Sequence, residues 1–383
     1  MSVLWKVLAG GLLFLLSPGY GHGKKEVAGS STFYLGQRRE IWTPLVQTTV
    51  NFSQINSIKS CFQFRTFDPE GAIFYGDTKG GEDWFVLSLR KGIPLMQISK
   101  LGMLVSAAGG PKLNDGRWHT LEVSNQGQFV ILEVDGSDGL TVGMQSKDYQ
   151  DVIGGHLRLA VGGILISREE LSIQFEPQMD GCVREGIWLN LSVPWETETE
   201  ELWPCYQNIQ PGSYFPGTGL AIFNTSVFTM NEDKEVTIDL KGDFSMMNGT
   251  ILSILVPGQE VMFTLVAHNH TQDMTITYGE WKMNLKNNLR GLSIKLGEDT
   301  LFLHGDEDDL NSFVSSTPVS HPAYPELWRN SLLAIGGLLG EGNDNVGSQF
   351  LTGCLKEIKI QGVDLDLDLA VRHGSISSHS CPA

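Results

Sequence analysis

The chain has 383 residues, 41% of them hydrophobic and 19% charged, which is enough for two domains with a core each. Its formal net charge of −17 argues against a nucleic-acid partner, because phosphate recognition needs a basic surface. Beyond the N-terminus, no stretch approaches the roughly 20 uninterrupted apolar residues of a membrane span, so we expect none.

Residues 1–23 have the order of segments that is typical of a secretory signal peptide. Lys6 supplies a positive charge, residues 7–16 are largely apolar, and residues 17–21 end in small side chains. A buried N-terminal helix is the alternative interpretation. We therefore expect an exported protein, in which residues 24–45 form a loosely held arm.

Short alternating runs of apolar and polar residues, separated by turn residues, follow the arm and predict β-strands. Residues 129–134 are one such run, and the following Asp135–Gly136 pair predicts a tight turn. Glycine is abundant, with 44 residues, and long helical periodicity is missing. The pattern predicts an all-β fold.

An internal repeat divides the chain. The segment LAVGGI at residues 159–164 recurs as LAIGGL at residues 333–338, and each copy is followed by Gly–Cys and an apolar residue. The repeat predicts two tandem β-sandwich domains. We expect the first domain over residues 46–205, a linker over residues 206–215 and the second domain over residues 216–383.

The five cysteines suit an oxidising compartment. Cys182 and Cys205 lie near the end of the first domain, and Cys354 and Cys381 lie near the end of the second, so we expect one local disulfide in each. Cys61 is left either as a free thiol or as an intermolecular link. Glycosylation sequons agree with export and lie at Asn51, Asn190, Asn224, Asn248 and Asn269.

Strand parity predicts an apolar slot with polar ends in the first domain. Side chains two apart on a strand share a face, and four otherwise apolar faces carry a polar residue at one end: Ser60, Asp83, Lys100 and Asn125. Each residue alone could mark where its strand meets water. Four together favour a binding slot, because a buried polar group without a partner costs about 1–3 kcal/mol. Such a slot suits a rigid, flat, apolar ligand with an oxygen at each end.

Several segments resemble the sex hormone-binding globulin family, which has tandem laminin G-like β-sandwich (jelly-roll) domains. The specific matches are FDPEGAIFYGDT at residues 67–78 and DWF at residues 83–85. The run NDGRWH at residues 114–119 and the Gly–Cys landmarks are shared with the wider laminin G-like family, including protein S. The resemblance implies a plasma carrier of androgens and estrogens, and the departures below suggest a member from a non-mammalian vertebrate.

The resemblance also implies roles for individual residues. Ser60 matches the serine that holds the oxygen on steroid ring A, Asp83 matches the aspartate that accepts from the 17-hydroxyl, and Phe85 matches an aromatic wall residue. Lys100 and Asn125 replace an asparagine and a methionine of the mammalian family members. Parity adds two apolar wall residues, Val123 and Leu157.

Lys100 suggests a hypothesis about steroid preference. An ammonium group only donates, so Lys100 beside Asp83 would serve a 17-ketone as well as a 17-hydroxyl. Testosterone, dihydrotestosterone, estradiol and androstenedione are the expected ligands, and androstenedione should compete relatively well. The alternative is that Lys100 extends its charged end out of the sheet edge into water.

The same resemblance implies calcium at Asp68 and Glu70 with the backbone carbonyl near Gln178, since Ca²⁺ prefers hard oxygen ligands. From the residues alone, an Asp–Pro–Glu–Gly segment is equally well a simple turn. The family also implies a homodimer through edge strands of the first domain, near Val105, Ala107 and Val130.

No sequence motif of a hydrolase, metalloprotease, dithiol redox enzyme or phosphate-binding loop occurs. Trp118–His119 follows an Asp–Gly turn and is better explained by packing than by catalysis. We therefore expect no catalytic cofactor. The alternatives are an adhesion or receptor-ligand protein of the protein S type that does not bind steroid, and a glycan-processing enzyme on a lectin-like sandwich.

Overall fold

The structure is a computed structural model of the whole chain. It describes residues 24–27, 32–36, 43–44, 46–55, 59–78, 81–126, 129–143, 155–189, 195–198, 205–229, 235–258, 261–297, 300–305, 311–315, 324–339, 346–347, 349–374 and 376–383. The expected signal peptide over residues 1–23 and the sequon at Asn190 lie outside these ranges.

The first half of the chain folds into fourteen described strands. They are β1 Lys24–Val27, β2 Phe33–Tyr34, β3 Val46–Asn51, β4 Ser60–Thr66, β5 Gly71–Thr78, β6 Trp84–Arg90, β7 Ile93–Lys100, β8 Met103–Ala108, β9 His119–Gln126, β10 Phe129–Val134, β11 Ser137–Gly143, β12 His156–Val161, β13 Gly181–Ile187 and β14 Trp195–Glu198. Short 3₁₀ helices cover Phe52–Gln54 and Arg168–Glu170.

These strands form two antiparallel sheets that face each other. One sheet has the order β1-β14-β3-β12-β5-β6-β7-β8 and the other has the order β11-β10-β9-β4-β13-β2. Alternating burial explains the arrangement: in β3 every second side chain is buried, which leaves one face for the core and one for water. The core between the sheets includes Phe62, Phe64, Leu87 and Leu121.

The turn after β10 has the geometry that its sequence favours. Asp135 has φ 52° and Gly136 has φ 75°, so both central residues of this two-residue hairpin are left-handed. Two left-handed residues define the hairpin turn that matches the twist of the flanking strands, and Asp–Gly is a preferred pair for it.

The second half repeats the architecture. Its strands are β15 Ile209–Pro211, β16 Ser213–Pro216, β17 Leu220–Asn224, β18 Val236–Gly242, β19 Gly249–Leu255, β20 Val261–His268, β21 Asp273–Tyr278, β22 Trp281–Lys286, β23 Gly291–Leu296, β24 Thr300–Gly305, β25 Asn311–Ser315, β26 Leu332–Ile335, β27 Leu338–Leu339, β28 Val346–Gly347, β29 Thr352–Ile360, β30 Val363–Asp364, β31 Arg372–Gly374 and β32 Ser380–Pro382. A single described α-helix, α1, covers Tyr324–Arg329, and 3₁₀ helices cover Thr225–Val227, Phe244–Met246 and Leu367–Leu369.

Among the described residues, this half also has two main sheets. Their orders are β16-β29-β18-β23-β24-β25, with β30 pairing β29, and β22-β21-β20-β19-β26-β17-β31. The large buried side chains between them include Phe215, Phe244, Phe263 and Trp328. Two minor pairs, β15-β32 and β27-β28, complete the half.

The repeated glycine pairs occupy equivalent positions in the two halves. Gly162 follows β12 with φ 78°, and Gly336 follows β26 with φ 89°. A Cβ at Gly162 would meet the Leu35 side chain at 2.9 Å, and one at Gly336 would meet the Phe215 ring at 2.3 Å. Both the left-handed turn and the close approach therefore require glycine.

Two expectations differ from the structure. Within the arm, Phe33 and Tyr34 pair with β13 and are buried, so this part is packed rather than loosely held. Within the expected linker, residues 209–211 and 213–216 form strands β15 and β16. The two expected disulfides are present, Cys182–Cys205 and Cys354–Cys381, and Cys61 is a half-buried free thiol.

Candidate functional site

Ser60 begins β4 and is completely buried. It lies opposite Val123 of β9, and its Oγ accepts a hydrogen bond from the backbone N–H of Leu189 at 2.9 Å. The sequence places Ser60 on the same face as Phe62 and Phe64, and these three side chains are indeed all buried. The hydroxyl therefore lies inside an otherwise apolar layer.

Four aromatic rings form a cluster in this layer. Trp188 stacks on Phe62 with ring centroids 4.4 Å apart and lies 4.9 Å from Phe74, and Phe74 contacts Phe85 edge-on at 5.3 Å. Phe85 covers Gly76, where a Cβ would lie 2.4 Å from its ring. The cluster offers flat apolar surfaces next to the buried hydroxyl.

Trp188 and Leu189 were not anticipated from the sequence. They follow the end of β13, beyond the reach of strand parity, and Leu189 has a left-handed φ of 51°. Both are buried, at 4% and 3% exposure. The only sequence signal is a large apolar pair shortly after the Gly–Cys landmark, which does not reveal the bond to Ser60.

Asp83 directly precedes β6 and is held by the backbone of neighbouring turns. Its Oδ1 accepts a hydrogen bond from Leu101 N–H at 2.8 Å, and its own N–H donates to Thr78 Oγ1 at 3.3 Å. The β6–β7 register pairs Trp84 with Ser99, so Lys100 occupies the position across from Asp83. Both side chains are half-buried.

Of the remaining predicted site residues, three are buried or partly buried in the core of the first sandwich and one is exposed to solvent. Val123 is buried, and Phe85 and Leu157 pack partly buried against the core. Asn125 lies one step further along β9 on the same face but is exposed, because β9 runs past the end of the core there.

The structure places Ser60 and Asp83 on facing sheets at the same end of the first sandwich. Because β4 leads through the turn at residues 67–70 into β5, the start of β4 and the end of β5 lie at one end, and Asp83 contacts Thr78 there. Ser60 and Asp83 thus belong to different sheets of the sandwich, and their placement at the two extremities of a slot stays a prediction.

A second polar cluster lies at the other end of the first sandwich. Asp68 is 1% exposed, and its carboxylate accepts hydrogen bonds from Glu70 N–H at 2.9 Å and Asp180 N–H at 2.8 Å. Glu70 Oε1 accepts from Glu176 N–H at 2.9 Å. The buried Gln178 Oε1 has no hydrogen-bond partner. The backbone oxygen of Gln178 lies next to Gly71, where a Cβ would be 2.2 Å from it, so two carboxylates and a carbonyl, the kind of oxygen ligands that Ca²⁺ prefers, come from neighbouring segments.

Residues of the second half complete this cluster. His379 Nε2 lies 2.9 Å from Asp368 Oδ2 and 3.6 Å from both Asp68 Oδ1 and Asp366 Oδ1. Among the described residues, Asp68, Asp368 and His379 are the one set of three His, Cys, Asp or Glu side chains whose ligand atoms lie close enough together, within 4.8 Å, to share a metal ion. Burial opposes charge on the ring, but the Asp68 and Asp368 carboxylates raise the pKa of His379 well above its usual value.

Trp118 and His119 have structural roles. Trp118 lies between the guanidinium groups of Arg65 and Arg184, at 4.7 and 4.1 Å from its ring centroid. The two ring nitrogens of His119 are 2.8 Å from Asp135 and 3.0 Å from Asp115. Both nitrogens are occupied by carboxylates, so neither faces a candidate substrate site.

Comparison with known proteins gives three findings. Residues 64–193 match the laminin G domain family. The chain is 31% identical to sex hormone-binding globulin of Rattus norvegicus, over 88% of this chain and 84% of that protein. It is 26% identical to vitamin K-dependent protein S of Oryctolagus cuniculus, over 86% of this chain and 54% of that protein.

Among solved structures, domains LG4-5 of the mouse laminin α1 chain align with a TM-score of 0.59 at 18% identity, covering 99% of this chain and 100% of that one. This likeness supports the tandem laminin G-like fold. No helix within the described ranges is long and apolar enough to cross a membrane.

Proposed function

Because the chain belongs to the sex hormone-binding globulin family, we propose that it carries sex steroids, bound reversibly between the two sheets of its first sandwich. The observation that carries the proposal is the buried Ser60 hydroxyl beside the aromatic cluster, facing the sheet that bears Asp83. The expected ligands are testosterone, dihydrotestosterone, androstenedione and estradiol.

The chemistry of the two polar groups suits a steroid. The Ser60 hydroxyl can donate to a ring-A oxygen while it accepts the N–H of Leu189. Leu101 N–H engages one oxygen of Asp83, and a carboxylate has further lone pairs that can accept from a 17-hydroxyl. Phe85, Val123 and Leu157 supply apolar contacts, while Lys100 and Asn125 lie at the margin and would tune preference.

The protein acts by binding and is not an enzyme, as its family of binding globulins implies. A carrier needs only differences in affinity between ligands, with no bond made or broken. In this role it would control the concentration of free sex steroid.

We also propose that the protein is secreted into blood plasma as a glycoprotein. Two disulfides are the kind of cross-link that persists in an oxidising compartment. Three sequon asparagines, Asn51, Asn224 and Asn248, are exposed, and Asn269 is half-exposed.

Calcium is proposed as a structural ion held by Asp68, Glu70 and the backbone carbonyl near Gln178. The position of the Gln178 backbone oxygen next to Gly71 supports it, as does the density of carboxylates. When bound, the ion would neutralise acidic groups from both halves of the chain. Asp368 lies close enough to Asp68 to share in this.

A homodimer is proposed through β8, which is the last strand of its sheet. An unpaired strand edge can add a strand from a second copy. Val105 and Ala107 of β8 and Val130 of β10 pack partly buried against the core nearby.

Equilibrium dialysis of the secreted protein against tritiated testosterone and estradiol tests the carrier function. We expect saturable binding of one steroid per chain. Asp83→Ala should weaken testosterone more than androstenedione, because only testosterone offers a 17-hydroxyl to donate. The exposed Asp138 of β11 gives a matched control, Asp138→Ala. A folded protein without saturable binding would overturn the proposal.

The second candidate is an adhesion or receptor-ligand protein of the protein S type. The match to protein S favours it, although the chain spans only 54% of that relative. This function requires no steroid, so the same dialysis experiment separates the two.

A further inference from the structure

We propose that Arg65 and Asp180 together form an interdomain clamp. They hydrogen-bond the two chain segments that enter and leave the second sandwich, and so fix the orientation of that sandwich relative to the first. Arg65 belongs to β4 and lies opposite Cys182 of β13, and Asp180 directly precedes β13. The two charged residues are therefore neighbours at one end of the first sandwich. Both are 5% exposed.

Arg65 holds the segment that enters the second sandwich. Its Nη1 donates to the carbonyl of Gln207 at 2.9 Å, and its Nη2 donates to the carbonyl of Tyr206. The Tyr206 ring packs edge-on against Tyr214 of β16 at 5.9 Å. The first residues after Cys205 are thus tied to both sandwiches.

Asp180 holds the segment that leaves the second sandwich. Its Oδ2 accepts from Ser377 Oγ at 2.6 Å, His379 N–H at 2.8 Å and Ser380 N–H at 3.0 Å. Its Oδ1 accepts from Ser380 Oγ at 2.9 Å and from the Tyr34 hydroxyl at 2.7 Å. Four of these five hydrogen bonds come from the C-terminal segment and the fifth from the N-terminal arm.

The two gripped segments are themselves joined. β15 pairs with β32, with Gln210 opposite Cys381, and Cys381 is bonded to Cys354 of β29. The segments that enter and leave the second sandwich are therefore joined to each other. Because the clamp holds both segments, the second sandwich has little freedom to rotate relative to the first.

The hydrogen-bonding capacity of each charged side chain matches the groups that it contacts. Guanidinium offers only donors, and it meets backbone carbonyls; carboxylate offers only acceptors, and it meets N–H and O–H groups. Separation of the sandwiches would exchange the four charge-assisted hydrogen bonds from the second half for bonds to water and leave only the Tyr34 hydroxyl on Asp180, which disfavours separation. The clamp lies at the opposite end of the first sandwich from Ser60, so it does not depend on steroid binding.

Hydrogen exchange measured by mass spectrometry on the full secreted chain tests the clamp. In Asp180→Asn, exchange of residues 377–381 should accelerate by on the order of tenfold, because the His379 and Ser380 amides lose their charged acceptor. Small-angle X-ray scattering should show a longer maximum dimension. The matched control is Asp77→Asn, a fully buried carboxylate whose partners Tyr75 and Arg158 both lie in the first sandwich.

If Asp180→Asn does not fold, the double variant Ser377→Ala/Ser380→Ala removes only hydroxyl donors of the second half and should give the same changes to a smaller extent. A folded Asp180→Asn protein with wild-type exchange at residues 377–381 and wild-type scattering would overturn the proposal. Equal acceleration in Asp77→Asn would do so as well, since it would indicate general destabilisation.

Discussion

Replacement of Ser60 by alanine should weaken steroid binding and the fold at once, for separate reasons. The hydroxyl is completely buried, and its Oγ is the acceptor for Leu189 N–H at 2.9 Å. Alanine removes the proposed hydrogen bond to the steroid, worth about 0.5–1.5 kcal/mol, so affinity should fall about two- to twelvefold. It also leaves a buried N–H without its partner, which should lower the free energy of unfolding by about 1–3 kcal/mol.

The matched control is Ser88→Ala in the same sandwich. Ser88 is also fully buried, but its Oγ donates to the Leu95 carbonyl at 3.2 Å on the outer side of the sheet. It should lower stability by about 0.5–1.5 kcal/mol and leave steroid affinity unchanged. Dialysis and urea unfolding measure the two quantities separately. Steroid affinities within twofold of one another in Ser60→Ala, Ser88→Ala and wild type would refute the role of Ser60.

Three further perturbations test other parts of the molecule. Lys100→Asn should lower the affinity for androstenedione relative to testosterone by about two- to tenfold in competition assays, and an unchanged ratio contradicts the lysine hypothesis. Calcium at about 100 times its Kd should stabilise the wild type by about 2.7 kcal/mol in thermal unfolding, and Asp68→Asn should abolish this gain; an identical gain in the variant rules out Asp68 as a ligand. Burial would raise the pKa of Asp115 and Asp135, but hydrogen bonds from backbone amides and His119 lower both. This stability is present above their unfolded pKa and is lost as the pH falls through the folded value, so His119→Asn should move the acid-unfolding midpoint upward, and a midpoint unchanged from wild type argues against the pairing.

The sandwich architecture was predictable because each strand carries its own signal. A period of two residues separates core from solvent side, as in β3, and the repeated Gly–Gly segments mark equivalent turns after β12 and β26. The two disulfides were predictable from position as well, because each joins residues only 23 or 27 apart. Local pattern was sufficient in these cases.

Contacts between distant segments were not predictable in the same way. The backbone N–H of Leu189 donates to Ser60 across 129 positions of sequence. Leu189 lies beyond the end of β13 with a left-handed φ, so the alternating pattern of the strand does not extend to it. Phe33 and Tyr34 form a strand of two residues, which is too short for alternation to be visible. The approach of His379 to Asp68 depends on how the two sandwiches meet, and no local pattern encodes that arrangement.

The long sequence separation of Asp180 from the donors that it accepts from has a consequence for biosynthesis. Ser377 follows Asp180 by 197 residues and lies close to the C-terminus. At ribosomal rates of roughly 5–20 residues per second, about 10–40 s pass between the emergence of the two. During that interval the Asp180 carboxylate of the nascent first sandwich lacks its donors from the second half, and water must solvate it. The mutual arrangement of the halves is therefore fixed only after the residues up to Ser380 have been made, and a chain that stops before them would never acquire it.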